Sequence, residues 1–280
     1  MKQLTLREIQ LKQLELLVET VRLCNKYDIP YYLIGGTLIG AVRHKGFIPW
    51  DDDIDVAIPR PSYERFIKIA RTELDKKYIL EHYSTTEGYG EYLLHITDPN
   101  VIISVNKVKN IESGVYIDIL PIDGIPSEPV RLFFYKLQIL KFRALAGLVN
   151  IDSIRDKERT GIEKLIIAFG KMTRIGKLLN LKKIRKKTDE YVQQFSFDEC
   201  EKVGTIFGNY GFHEIVPKDF FGKGVEVTFE GKKFIGPSRT HEYLQHMYGD
   251  YMSPPPESER IGHHVNEKVI TDVSGKNDEL

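Results

Sequence analysis

Apolar positions fall at three- and four-residue intervals between Thr5 and Tyr27, at Ile9, Leu14, Leu17, Val18 and Val21. That period predicts an amphipathic helix. Thr5 followed by Glu8 fits a capping box at its start, and Pro30 closes the segment. Shorter runs follow. Residues 31–34 read as a strand that breaks at Gly35-Gly36, residues 37–44 as a short helix ended by Gly46, residues 47–50 as a loop, and residues 53–58 as a second strand. Pro61 and Ser62 open a helix running to about Lys77. Strand-like runs follow at 78–83, 92–96 and 101–107, punctuated by Gly88, Gly90 and Pro99-Asn100. A further strand, 115–120, is ended by Pro121 and Asp123-Gly124.

From 128 to 196 the period becomes helical, with Leu132, Phe133, Phe134, Leu137, Leu140 and Leu145 spaced to form one apolar face, and Ile166, Ile167, Phe169, Leu178 and Leu179 continuing the theme. The chain then returns to β structure. Residues 225–229, a Glu230-Gly231 turn and residues 233–235 predict a hairpin. Pro237-Ser238 opens a helix ending near Tyr248-Gly249. The expected architecture is α+β: a mixed sheet flanked by helices, with an inserted basic helical subdomain. The expected division is a core at 1–127, the helical part at 128–200, a C-terminal hairpin and helix at 201–268, and a tail at 269–280.

Composition changes this picture in one respect. The 280 residues carry no net charge, so the whole molecule is not a polyanion binder. The charge is nevertheless split, because Arg131 to Lys187 holds 16 Lys/Arg against 4 Asp/Glu. That segment reads either as a helical surface for an anionic membrane or as a lid with a solvated basic face. No nucleic-acid module is visible. The two cysteines, Cys24 and Cys200, make neither a disulfide scaffold nor a metal motif, and Cys24 falls in a helical pattern as a small core residue. The start of the chain lacks a secretory pattern and no run spans a membrane, so a cytoplasmic location is expected.

The chemistry concentrates between Tyr31 and Arg60. Asp51, Asp52, Asp53 and Asp55 fall within five positions, and the last enters the apolar run Ile54, Val56, Ala57, Ile58. On a strand, Asp53 and Asp55 share a face. Carboxylates held that close repel unless a cation lies between them, and hard oxygen donors suit Mg²⁺ or Mn²⁺. Gly35-Gly36 permits a sharp turn with backbone near a ligand, and the N–H groups opening the next helix favour an anion. Each feature alone has a plainer reading, a turn or a solvated acidic loop; together they favour a phosphate-and-metal site. Asp118, mid-strand between Ile117 and Ile119, is an awkward place for a charge without a compensating partner. Asp123 before Gly124 reads as a turn residue.

The run GTLIGAVRHKGFIPWDDDIDVAIPR, followed by Tyr63-Glu64-Arg65-Phe66, closely resembles the LicD family, phosphocholine and related phospho-alditol transferases whose core is shared with fukutin-related proteins. The segments from Tyr116 to Gly124, from Tyr248 to Met252, and around Pro254-Pro255, Arg260 and His263-His264 also resemble it. The resemblance implies a nucleotidyltransferase-like fold and transfer of phosphocholine, or a related phospho-alcohol, from CDP-choline or another CDP-alcohol. The acceptor would be a glycan or lipid-linked glycan hydroxyl, as in lipopolysaccharide or a teichoic acid precursor. CMP would be released, at the inner face of a membrane if the basic helices dock there. It implies Gly35, Gly36 and Thr37 at the diphosphate. Asp53, Asp55 and Asp118 would be catalytic carboxylates and metal ligands, with Asp118 the alternative base. Arg43, Arg260, His263 and His264 would lie toward donor phosphate. Trp50 reads either as an aromatic face for a quaternary ammonium or as packing. His95 lies where the family pattern expects Arg or Lys. Two readings compete: a nucleotidyltransferase leaving a nucleoside monophosphate on its acceptor, and a catalytically silent binder of CDP ligands.

Overall fold

The computed structural model describes residues 2–105, 111–151, 172–260 and 265–272. Helix α1 (Leu6–Lys26) is capped as its sequence requires: Thr5 Oγ1 accepts from Glu8 N–H at 3.3 Å and Thr5 N–H donates to Glu8 Oε2 at 2.8 Å. Its buried face is Ile9, Leu14, Leu16, Leu17, Val21, Leu23 and Cys24. Val18, expected on that face, is exposed. Burial pushes the Cys24 thiol up to about 12, consistent with a core residue.

Strand β1 (Lys2–Gln3) lies at the edge of the sheet. After α1 the chain enters β2 (Tyr32–Leu33), then helix α2 (Gly35–Ile39), which widens into a π-helical turn at Gly40–His44. The helix therefore begins two residues before the expected start. Gly35, with φ of +60°, makes the sharp entry that only glycine adopts cheaply. Lys45, also left-handed, ends it. Strand β3 (Asp55–Pro59) pairs antiparallel with β2 and parallel with the long β6 (Ile111–Ile125). Val56, Ala57 and Ile58 are fully buried, as expected of a central strand covered on both faces. Helix α3 (Arg60–Glu73) and strand β4 (Ile79–Glu81) follow, both shorter than expected.

The two runs predicted at 92–96 and 101–107 are one strand, β5 (Leu94–Val105), with a register shift between Asp98 and Ile102 that absorbs Pro99-Asn100. Strand β6 likewise continues through Pro121 and Gly124, because its second half pairs with β7 (Lys202–Gly204), which pairs with β8 (Val216–Pro217). Asp123 is accordingly not a turn residue. Its carboxylate accepts from Arg60 Nε at 2.6 Å and Nη2 at 2.9 Å. Arg60 also meets Asp189 at 3.3 Å, and Tyr83 and Tyr92 donate their hydroxyls to that same Asp189 carboxylate. This buried polar knot ties the sheet to the helical part.

That part contains α4 (Pro129–Val149) and α5 (Leu181–Val192). The single apolar face expected on α4 proves to be two. Tyr135, Ile139, Phe142 and Ala146 are buried, whereas Phe133, Phe134, Leu137 and Leu140 are exposed. Ile166, Ile167 and Phe169 lie outside the described residues. The hairpin β9 (Val225–Phe229) and β10 (Lys232–Gly236) turns at Glu230-Gly231, both left-handed. Glu230 clamps the turn after α2, accepting from Phe47 N–H at 3.1 Å and pairing with Arg7 at 2.6 Å. Helix α6 (Thr240–Tyr248) ends at Gly249 as predicted. Strand β11 (Val265–Asp272) pairs with β1 and β5, so residues 269–272, read as the start of a tail, are in a strand. The architecture is mixed α+β, as expected. No described helix is long and apolar enough to cross a membrane.

Candidate active site

The parallel register of β3 and β6 places Asp55 directly beside Asp118, and the antiparallel register of β6 and β5 places Asp118 beside His95. Register partners in adjacent strands project to the same face. Asp55, Asp118 and His95 therefore form a row across the sheet. His95 Nε2 lies 2.8 Å from Asp118 Oδ1, and its ring stacks on Tyr116, centroids 4.1 Å apart, with Tyr89 edge-on at 5.5 Å. His95 thus partners a carboxylate of the row, a role that its spacing in the sequence did not indicate.

Asp53 reaches the same cleft by another route. The strand begins at Asp55, so the alternation expected to align Asp53 with Asp55 does not apply; residues 51–54 precede it as irregular chain. Two buried glutamines of α1 shape that segment instead. Gln10 Nε2 donates to Asp51 O and Gln13 Nε2 to Asp52 O, each at 2.8 Å. Carboxylate oxygens of Asp51, Asp52 and Asp53 gather within 4.8 Å of one another. Neither Gln10 nor Gln13 belongs to a recognisable motif. Polar residues on the core side of an amphipathic helix were the available signal.

The glycines serve close approach. A Cβ on Gly35 would collide with the Asp55 carboxylate, and one on Gly36 with that of Asp51. Thr37, buried, uses its hydroxyl oxygen to accept from Asp55 N–H at 2.9 Å, fixing the strand entry.

Two adjoining hollows open here and share Asp53, Asp55, Asn209, Tyr210 and Tyr248 as walls. The inner one, a narrow cavity of about 80 Å³, adds Gly35, Asp118, Phe207, Glu214, Tyr243 and Met247. The outer, about 480 Å³, adds Gly36, Arg43, Trp50 and Asp51. Arg43 donates to Tyr251 O at 2.6 Å, and the Arg260 guanidinium lies 5.2 Å over the Trp50 ring, so the cation partner of that indole is Arg260. Burial and the nearby Arg260 lower the Arg43 pKa. His263 and His264 lie outside the described residues. The aromatic lining of the inner hollow comes from residues 207–210, which carry no helical or strand period, and from α6; Tyr210 and Tyr248 meet edge to face at 5.4 Å. Glu214 stands beside them, accepting from Tyr210 N–H at 3.1 Å and from the Thr205 hydroxyl.

Electrostatically the cleft is loaded. Burial, and then repulsion from Asp53, Asp118, Asp51 and Glu214, raise the Asp55 pKa well above the carboxylate range. Such a cluster takes up protons or a cation. Its all-oxygen donor set fits Mg²⁺ or Mn²⁺.

Comparison with known proteins agrees with this geometry. A family model described as "LicD/FKTN/FKRP, nucleotidyltransferase domain" matches residues 28–144, the stretch that contributes the Gly-Gly entry, Asp53, Asp55, His95 and Asp118. The lipopolysaccharide cholinephosphotransferase LicD of Haemophilus influenzae is 34% identical over 96% of this chain and 100% of its own length. An uncharacterized protein of Rickettsia typhi is 37% identical over 29% of this chain and 26% of its own, and one of Rickettsia prowazekii is 50% identical over 16% of each. These matches put the chain among transferases that carry a nucleotidyltransferase domain. Full-length similarity narrows the class further: the chain belongs to the LicD family.

Proposed function

We propose that this protein transfers phosphocholine from CDP-choline to a glycan hydroxyl, with Mg²⁺ or Mn²⁺ held by Asp53, Asp55 and Asp118. The observation that carries the reading is the in-register pair Asp55 and Asp118, whose repulsion calls for a cation in a chain similar from end to end to a cholinephosphotransferase. When bound, the ion offsets charge on the diphosphate and on the departing CMP oxygen. Gly35 and Gly36 let the carboxylates crowd the backbone, leaving both hollows open to ligand. Asp118, paired with His95, either completes the metal shell or, as the alternative, accepts the proton of the acceptor hydroxyl. The new P–O bond forms to that oxygen while the P–O bond to CMP breaks. Arg43 and Arg260, on the outer side, suit the nucleotide phosphate.

The quaternary ammonium is assigned to Tyr210, Tyr248 and Phe207 beside Glu214, where ring faces and a carboxylate both favour a cation. The lipopolysaccharide acceptor of the Haemophilus relative is the first to test.

The experiment supplies CDP-choline, Mg²⁺ and lipopolysaccharide lacking phosphocholine. CMP release and a product heavier by phosphocholine, abolished by EDTA and by Asp53→Asn or Asp118→Asn, are expected. A product carrying a cytidylyl group, or full turnover in either variant, overturns the reading.

A further inference from the structure

Helix α4 has three sides of different character. Tyr135, Ile139, Phe142 and Ala146 are buried, and the last two pack with Ile184 of α5. At the edge of that face Arg143 Nη2 donates to Ile206 O at 2.8 Å and to Gly208 O at 3.3 Å, carbonyls of the loop that walls the cleft with Phe207 and Tyr210. The third side is apolar and open. Val130, Phe133, Phe134, Leu137 and Leu140 are 61%, 64%, 59%, 53% and 52% exposed, at the spacing of one helical stripe. Just beyond the helix on the described chain, Leu178 is 86% exposed, in a turn packed against the end of α4.

Apolar stripes of this kind are covered by something. The surrounding charge indicates what. Residues 131–151 and 172–187 together carry eleven Lys/Arg and no Asp/Glu. Arg131 and Lys141 are exposed on α4 itself, and Arg174, Lys177, Lys182 and Lys183 on the neighbouring elements. A second copy bringing the same stripe would set two basic regions against each other. An anionic lipid surface matches both features, taking the rings and leucines into its interface and the lysines and arginines at its headgroups.

We propose that the exposed stripe of α4 docks this protein on an anionic bilayer. Arg143 then makes α4 a spacer between lipid and cleft, holding the loop of Phe207 and Tyr210 at a fixed distance from the membrane. The proposal does not depend on the donor or on the chemistry of the transfer.

The test is flotation of the full chain with vesicles of phosphatidylcholine containing phosphatidylglycerol, against phosphatidylcholine alone, at low and high salt. Binding to the anionic vesicles, weakened by salt, is expected. Phe133→Ser/Phe134→Ser/Leu137→Gln should weaken it at least tenfold, Phe133→Leu/Phe134→Leu should retain it, and Lys182→Glu/Lys183→Glu should weaken it most at low salt. These side chains are exposed, so the circular dichroism spectrum and melting temperature of each variant should match the parent. Failure of the parent to bind anionic vesicles, or undiminished binding by the serine variant, overturns the proposal. So does a parent that is dimeric by light scattering, becomes monomeric in the serine variant and ignores vesicles, which would assign the stripe to a second copy.

Discussion

Replacing Asp55 by Asn should stabilise the metal-free protein while destroying its activity. The two carboxylates Asp55 and Asp118 are register partners on adjacent strands. At a strand spacing of about 4.8 Å and an effective dielectric of about 20, two unit charges repel by about 3 kcal/mol. Asp55→Asn keeps the shape of the side chain and the backbone bond to Thr37 but removes that repulsion. With about 2.1 cal/mol/K of unfolding entropy per residue over 280 residues, up to about 3 kcal/mol corresponds to a rise of about 5 °C in melting temperature. The assay is thermal unfolding in EDTA at pH 8, repeated with Mg²⁺. Wild type should gain strongly from the ion and the variant little. The pH dependence supplies a second check. The folded Asp55 keeps its proton at pH values where the unfolded chain has lost it, so this group favours the fold more as pH falls. Asp55→Asn should remove that component. A variant that melts below wild type in EDTA, or gains as much from Mg²⁺, would refute the argument.

Other expectations follow from the same geometry. Gln13→Leu should leave the fold intact yet weaken divalent-ion binding by about 10- to 100-fold, as measured by calorimetry, because the acidic segment loses the amide that aims it. Arg60→Met strands Asp123 and Asp189 in the interior and should cost about 3–5 kcal/mol in urea unfolding, the usual penalty for breaking a buried ion pair. Burial lowers the His82 pKa to about 4, against attraction from Asp189, so the unfolded chain binds the extra proton between about pH 6.5 and 4. Stability should fall by about 3 kcal/mol across that window, and His82→Gln should lack this component. Tyr248→Leu should raise KM for CDP-choline by about 5- to 30-fold, matching the loss of about 1–2 kcal/mol of cation–π attraction, and should affect CDP-ribitol less in steady-state kinetics.

Much of this was legible in the chain because local chemistry and final position agree. The capping box of α1, the hairpin at Glu230-Gly231 and the helix ending at Gly249 are decided within a few residues, and each formed as read. Asp55 and Asp118 were legible as charges embedded in apolar strands, and the register of β3 and β6 sets them side by side. What failed to show was decided at long range. Pro121 and Asp123 carry turn chemistry, but β7 and Arg60 overrule it. The apolar spacing of α4 could not say which side met the core, since both sides are apolar. The inner hollow's aromatic wall is assembled from 207–210 and α6, which no periodicity links.

The choice of amide side chains on α1 has a consequence for engineering. A lysine at position 10 or 13 would grip the acidic segment with a full charge and so look like an improvement in rigidity. It would also disarm the segment by supplying internally the positive charge that the cleft must leave for its ligand. Neutral glutamines constrain the backbone and leave the field untouched, so attempts to harden this scaffold should work through shape and hydrogen bonding there and keep added charge away.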